Sequence, residues 1–391
     1  MKTILIIFLV LVAIVFILPV LLTLGGIDIL PGGAGFSSGT GRASGALIRS
    51  DNDGESWATP TFSGKRIPSS IFDIAFYPQD PNTVLAGTKG SGIWKSTDAG
   101  VTWEFAPDRA GALHDNADVY KIAVSSASSS IIYAAVYQDS KGRIMKSEDR
   151  GEHFREVYFV TATSYGVFDI YVDPHNADSV LAATGQGLLL QSQDGARTWK
   201  TLHNFGEPIF LMVVNPIFSG EMYVITERSR LLKSFDGGVT WTDLSGTAGD
   251  STTEGGGLRQ TGYVWQGDPS FRRVTDVVHF SPQEAVSFAI NPHSPLELYR
   301  GTYFGLFRSE NGGFSWETKD ALLEQKDFPP RGIAFSALDP DKIFVAAGQK
   351  FSKSPNRGST WSIKTIPGST AAKKLFTHPQ KPGVIFMLLG R

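Results

Sequence analysis

Ser96-TDAGVT-Trp103 and Ser234-FDGGVT-Trp241 follow one pattern, S-x-D-x-G-x-T-W. Looser copies are Ser50-DNDGES-Trp57, Ser147-EDRGEH-Phe154, Ser192-QDGART-Trp199, Ser309-ENGGFS-Trp316 and Ser354-PNRGST-Trp361. Six of the eight tryptophans close a copy, at Trp57, Trp103, Trp199, Trp241, Trp316 and Trp361, so the aromatic content and the repeat are one observation. In each copy an Asp or Asn side chain can accept hydrogen bonds from turn amides, and a glycine supplies a positive φ. The pattern therefore predicts a hairpin corner. Its last aromatic, Phe154 in the third copy, begins the returning strand and packs against the sheet. The capping residues are Asn52, Asp98, Asp149, Asp194, Asp236, Asn311 and Asn356.

Successive copies begin 46, 51, 45, 42, 75 and 45 residues apart. A unit of about 45 residues fits one four-stranded blade of a β-propeller. Between corners the chain repeats a β-rich run, a Pro-containing turn, a second run and a short run into the next corner, as in FDIAFYPQDPNTVLAGTKGSGIWKS. These are strands A, B and C, with D starting at the corner aromatic. GALIRS and the first corner supply a C and a D without A or B, whereas the segment after the seventh corner supplies an A and a B without C or D. The expected fold is all-β, a seven-bladed propeller whose seventh blade is closed by N- and C-terminal strands.

The corner motif resembles the Asp-box, or BNR, repeat of β-propellers. In detail the repeats are similar to those of photosystem II assembly-factor, sortilin N-terminal and xyloglucanase-type propellers, with DPNTVLAGT and GLFRSENGGFSW close in style to the last. The first two families imply polypeptide binding without catalysis. The third implies a glycosidase cleft built from two carboxylates between two propellers, and this chain carries one ring of repeats. Lys65-Arg66-Ile67-Pro68 is similar to the Arg-Ile-Pro signature of sialidases, which implies a substrate carboxylate on Arg66; no partner arginines or Tyr/Glu pair accompany it by motif.

Ahead of the ring, Ile4 to Leu24 is an uncharged apolar run of the length that crosses a bilayer as a helix. Residues 1–24 are expected to be an uncleaved transmembrane signal-anchor, N-in/C-out from Lys2, with secretion as the outcome if the segment is cleaved. The Gly/Ser-rich stretch 25–44 is a tether, and 45–391 is the extracytoplasmic propeller.

If strand A runs from top to bottom, all seven corners lie on the bottom face and the blade-to-blade connections lie on top, where binding residues concentrate. The largest top connection is the insertion 245–284, with Tyr263, Trp265, Arg272 and Arg273 as candidate binding residues. Aligned A strands place Asp73, Lys121, Asp169, Leu211, Ser287, Gly332 and Lys374 in one register lining a channel, with Lys121 and Lys374 as its cationic members. Asp73 and Asp169 read as solvated strand-end residues.

The net charge of −2 excludes a general nucleic-acid binder, and the absence of cysteine excludes disulfides, thiolate metal sites and Cys nucleophiles. The histidines follow turn chemistry, and Asp51-Asn52-Asp53-Gly54 lacks the glutamate of a calcium loop, so no metal or cofactor is expected. Lys342 to Arg391 holds nine Lys/Arg and no acid. This points to an edge that meets anionic lipid or an acidic partner. The expected function is a membrane-anchored scaffold for a protein or peptide ligand at the top face, with a glycan-active or glycan-binding propeller as the alternative.

Overall fold

The structure is a computed structural model that describes residues 42–43, 46–64, 67–162, 165–244, 285–319 and 329–390. The expected membrane span and the insertion 245–284 lie outside the described residues. No helix among the described residues is long and apolar enough to cross a membrane. Every regular element described is a β-strand, and the strands form seven sheets.

Blades 1 to 6 have innermost strands Ile71–Tyr77, Asp118–Val124, Val167–Val172, Ile209–Val214, Ala285–Ile290 and Pro330–Phe335. In each, strands A to D pair antiparallel in sequence order. Blade 7 joins the ends as expected: strand A is Ala371–Thr377, strand B is Ile385–Gly390, and Leu47–Ser50 pairs with B as strand C. Strand B is buried on both sides, as in Val180–Thr184 and Ile343–Ala347, which explains its unbroken apolar sequence. Seven hydrophobic clusters fill the seven gaps between neighbouring blades.

The first corner departs from expectation. It leads into no strand D of blade 7; only an isolated bridge, Arg49 to Ala58, marks that place. The chain crosses instead to blade 1, where Thr61–Ser63 pairs in parallel with the outer strand Thr102–Phe105. Arg42–Ala43, read above as the end of the tether, pairs antiparallel with Thr61–Ser63 and makes a six-stranded sheet. The cause is Phe62, fully buried, which stacks on Trp103 at 5.8 Å and meets Trp94 edge-on at 5.4 Å. Trp57, the aromatic of that corner, leaves its indole N–H without an acceptor among the described residues.

All seven corners share one hydrogen-bond scheme, with the His153 ring taking the place of the Ser/Thr hydroxyl on Asp149 in the third. In the second, the Ser96 hydroxyl donates to Asp98 Oδ1 (2.7 Å) and accepts from the Gly100 amide (2.8 Å), while Thr102 donates to Asp98 through its amide (2.9 Å) and its hydroxyl (2.6 Å). Where Asn replaces Asp the hydroxyl reverses its role: Asn356 Nδ2 donates to Thr360 Oγ1 at 2.9 Å, and Asn52 and Asn311 do the same to Ser56 and Ser315. A hydroxyl both donates and accepts, so either residue closes the turn. The fourth and fifth corner residues are left-handed throughout, Ala99 (φ 59°) and Gly100 (φ 86°) in the second corner, and Ala196 (φ 67°) where alanine stands for glycine.

That twist turns the fourth residue's carbonyl outward, where the preceding blade takes it. Arg49 Nε donates to Ala99 O (2.8 Å), Tyr77 OH to Arg150 O (2.9 Å), Lys146 Nζ to Gly195 O (3.1 Å), Lys233 Nζ to Gly312 O (2.9 Å) and Tyr299 OH to Arg357 O (3.0 Å). The basic C-terminal run is drawn into the same seam. Lys342 pairs with Asp53 (2.7 Å), and Lys353 (2.5 Å) and Lys364 both pair with Glu55 of the first corner, lowering its carboxyl to about 2. These lysines join the two chain ends.

Two outcomes follow for stability. A Cβ on Gly100 would sit 2.3 Å from the Phe386 ring at a φ that side chains resist. Gly100→Ala should therefore cost about 2 kcal/mol or more in chemical denaturation, since left-handed strain alone is worth ~1–2 kcal/mol. The Thr240 hydroxyl, and then its amide, hold the Asp236 carboxyl down to about 2 from 3.8. A depressed carboxyl stabilises fully above its unfolded value, and that contribution is lost as pH falls through the folded one. Melting temperatures should drop between pH 4 and 2, and Asp236→Asn should fold normally with a shallower drop across that window.

Candidate functional site at the channel mouth

The expected channel register is present in all seven innermost strands, with Asp73, Lys121, Asp169, Leu211, Ser287, Gly332 and Lys374 facing equivalent strand B positions. Immediately before it, every one of these strands carries a β-bulge. A bulge leaves one residue unpaired and re-aims its side chain. The seven bulged residues are Phe72, Tyr120, Phe168, Phe210, Val286, Arg331 and Lys373, in blade order, at the top ends of their strands.

The rim is therefore two-sided. Phe72 stacks on Tyr120 at 5.0 Å, and Tyr120 meets Phe168 edge-on at 5.2 Å. Phe168 and Phe210 then stand open to solvent, 37% and 60% exposed. Across the channel the rim is cationic, with Arg331 and Lys373 both exposed. The sequence reading stopped one residue short of this column; the aromatic run Phe72, Tyr120, Phe168, Phe210 was visible in the same alignment that produced the polar register.

The layer below corrects one expectation. Asp73 and Asp169 are buried, 1% and 9% exposed, and are not solvated strand ends. Asp73 accepts the amide of Ile122 in blade 2 (3.0 Å), and Asp169 accepts that of Met212 in blade 4 (3.2 Å). Lys121 lies between them, 3.5 Å from Asp73 and 3.9 Å from Asp169. Asp73 raises the pKa of the Lys121 ammonium, and burial raises that of the Asp169 carboxyl. Lys374 closes blade 7 on blade 1 by donating to Phe72 O at 3.2 Å. Its side chain is open to the channel yet walled by protein, and this desolvation lowers its pKa. Ser287 Oγ donates to Pro330 O of blade 6 at 2.5 Å. Lys121 and Lys374 thus meet in one charged layer. Tyr263, Trp265, Arg272, Arg273 and Arg66 lie outside the described residues.

The opposite face is not bare. Phe235 and Phe314 stack at 6.3 Å on the bottom of blades 4 and 5, and they cover Lys233, whose Nζ lies 4.4 and 5.3 Å from their ring centres.

Seven sheets closed by both chain ends around this lined channel define a single-ring seven-bladed β-propeller. The sequence matches no family model and no curated protein. Solved structures do resemble the ring. YCF48 bound to a D1 peptide is 14% identical with a TM-score of 0.59 over 82% of this chain and 93% of that one. YCF48 from Cyanidioschyzon merolae is 14% identical with a TM-score of 0.58, over 81% and 95%. The GH74 xyloglucanase from Xanthomonas campestris is 14% identical with a TM-score of 0.60, over 81% of this chain and 50% of its own length. The likeness is one of fold, and it takes in both a peptide-bound protein and a glycoside hydrolase.

Removing the cation between two buried carboxylates leaves their charge uncompensated. Lys121→Met should cost about 3 kcal/mol or more. Without Lys121 the Asp169 carboxyl rises further above its unfolded value, so its stabilising protonated form is lost as pH rises. As pH rises above 4, the variant's melting temperature should fall more steeply than that of the unaltered protein, in which Lys121 offsets part of the burial.

Proposed function

We propose that this chain is an extracytoplasmic binding or assembly scaffold, held N-in/C-out at a membrane by Ile4–Leu24 and tethered by the Gly/Ser segment, which takes a polypeptide at its channel mouth. The observation that carries this reading is the two-sided rim set by the seven bulges. Phe168 and Phe210 offer apolar surface, and Arg331 and Lys373 offer cations within one ring. Aromatic and Arg side chains of this kind anchor protein interfaces.

One further point favours a binding role over glycoside hydrolysis. A glycosidase needs two carboxylates free to reach a substrate, and Asp73 and Asp169 of the inner register are engaged by Lys121 and by backbone amides. The peptide-bound YCF48 propeller is a structural precedent for such a ligand.

The test is a peptide-display selection on the full chain in detergent, followed by affinity measurement. Peptides selected on the unaltered protein should bind Phe168→Ser/Phe210→Ser and Arg331→Glu/Lys373→Glu at least about tenfold more weakly, the loss expected for removing one anchor worth ~1.4 kcal/mol. Unchanged affinity in both variants would rule out the rim, and release of reducing sugar from xyloglucan would turn the assignment to the hydrolase class.

A further inference from the structure

One position in the strand B layer breaks the sevenfold pattern. Facing the residue after the inner register stand Ala86, Ala134, Ala182, Val224, Val345 and Met387 in six blades, all apolar. Blade 5 has Arg300 there, opposite Phe288. Arg300 is fully buried in the gap shared with blade 4, and none of its three guanidinium nitrogens has a hydrogen-bond partner among the described residues. Its Cζ lies 4.3 Å from the Trp316 ring centre and 5.1 Å from that of Phe307. Burial lowers its pKa only to about 10, so it carries its charge at neutral pH.

Among the described residues, other buried or nearly buried cations away from the channel are matched. Lys233 meets Glu221 (2.5 Å), Lys146 meets Glu148 (2.6 Å), Arg49 meets Asp51 (2.6 Å) and Arg308 meets Glu297 (2.6 Å). Contact with two aromatic rings compensates a guanidinium only in part. Five buried N–H donors and an unpaired charge would destabilise blade 5 strongly against the alanine that serves elsewhere. A guanidinium resting on aromatic rings keeps its donors in its own plane, arranged as a fork that matches an oxyanion in two parallel bonds.

We infer that Arg300 is the cationic half of an oxyanion site in the gap between blades 4 and 5, taking a carboxylate or phosphate group along the edge of its guanidinium while Trp316 and Phe307 support it. The oxyanion comes either from a small molecule or from a polypeptide carboxylate, and the two sources separate experimentally. This site is independent of the channel mouth.

Thermal unfolding of the full chain distinguishes the cases, comparing the unaltered protein with Arg300→Met and Arg300→Lys at constant ionic strength. Met is chosen because Met387 occupies the equivalent place in blade 7. If a free oxyanion binds, added acetate or inorganic phosphate raises the melting temperature of the unaltered protein progressively. Arg300→Met then shows no such rise, and Arg300→Lys needs at least about tenfold more anion, having lost the two-bond fork. If a polypeptide carboxylate fills the site, neither anion acts. Arg300→Met then melts several degrees lower at pH 7, and that difference disappears below pH 4 as carboxylates take up protons. Arg300→Met melting at the same or a higher temperature, with no anion response in the unaltered protein, would overturn the assignment. So would an equal anion response in both proteins.

Discussion

The ring depends on a single carbonyl per corner. Two consecutive left-handed residues turn the oxygen of the fourth corner residue away from its own hairpin, and an Arg, Lys or Tyr of the preceding blade donates to it in five of the seven gaps. The apolar clusters between blades supply adhesion, but adhesion is non-directional and would tolerate rotation of one sheet against the next. The corner bonds fix that rotation at the bottom of the ring. At the other end the inner strands are tied by Asp73 to Ile122, Asp169 to Met212, Ser287 to Pro330 and Lys374 to Phe72. Blade pairs 7–1, 1–2 and 5–6 are held at both the axial and the peripheral end, and the channel mouth inherits its geometry from the axial ties.

The corners were legible in sequence because an αL–αL turn with a side-chain cap demands particular residue types at fixed places. The inner register was legible for a different reason: every A strand carries its bulge at the same point, so the displacement cancels when the strands are aligned. What escaped the sequence was decided by contacts between distant residues. Trp57 announces a strand D like the other six, yet Phe62 finds Trp94 and Trp103 and carries the chain into the neighbouring sheet. Asp73 and Asp169 look like strand-end acids until Lys121 is seen between them. The basic C-terminal run reads as a surface, whereas Asp53 and Glu55 from the far end of the chain take three of its lysines.

The rim shows how a near-symmetric scaffold acquires direction. Sevenfold repetition would give an even ring, but Phe72 to Phe210 fall on four consecutive blades, and Arg331 and Lys373 on the two blades before the seam. A ligand meeting this mouth encounters an apolar bank and a charged bank in one fixed orientation. The same ring architecture is shared with a peptide-bound protein and with a hydrolase, so the propeller by itself does not set what this chain does.

The shared seventh blade also sets an order of events during biosynthesis. Leu47–Ser50 is buried throughout in the finished ring, and its partner Ile385–Gly390 is encoded near the other end of the chain. At ordinary elongation rates of about 5–20 residues per second the earlier strand emerges and waits roughly 17–70 s before its mate leaves the ribosome. Blades 1 to 6 take their strands A to D from the chain between these two strands, so ring closure alone waits on Ile385–Gly390.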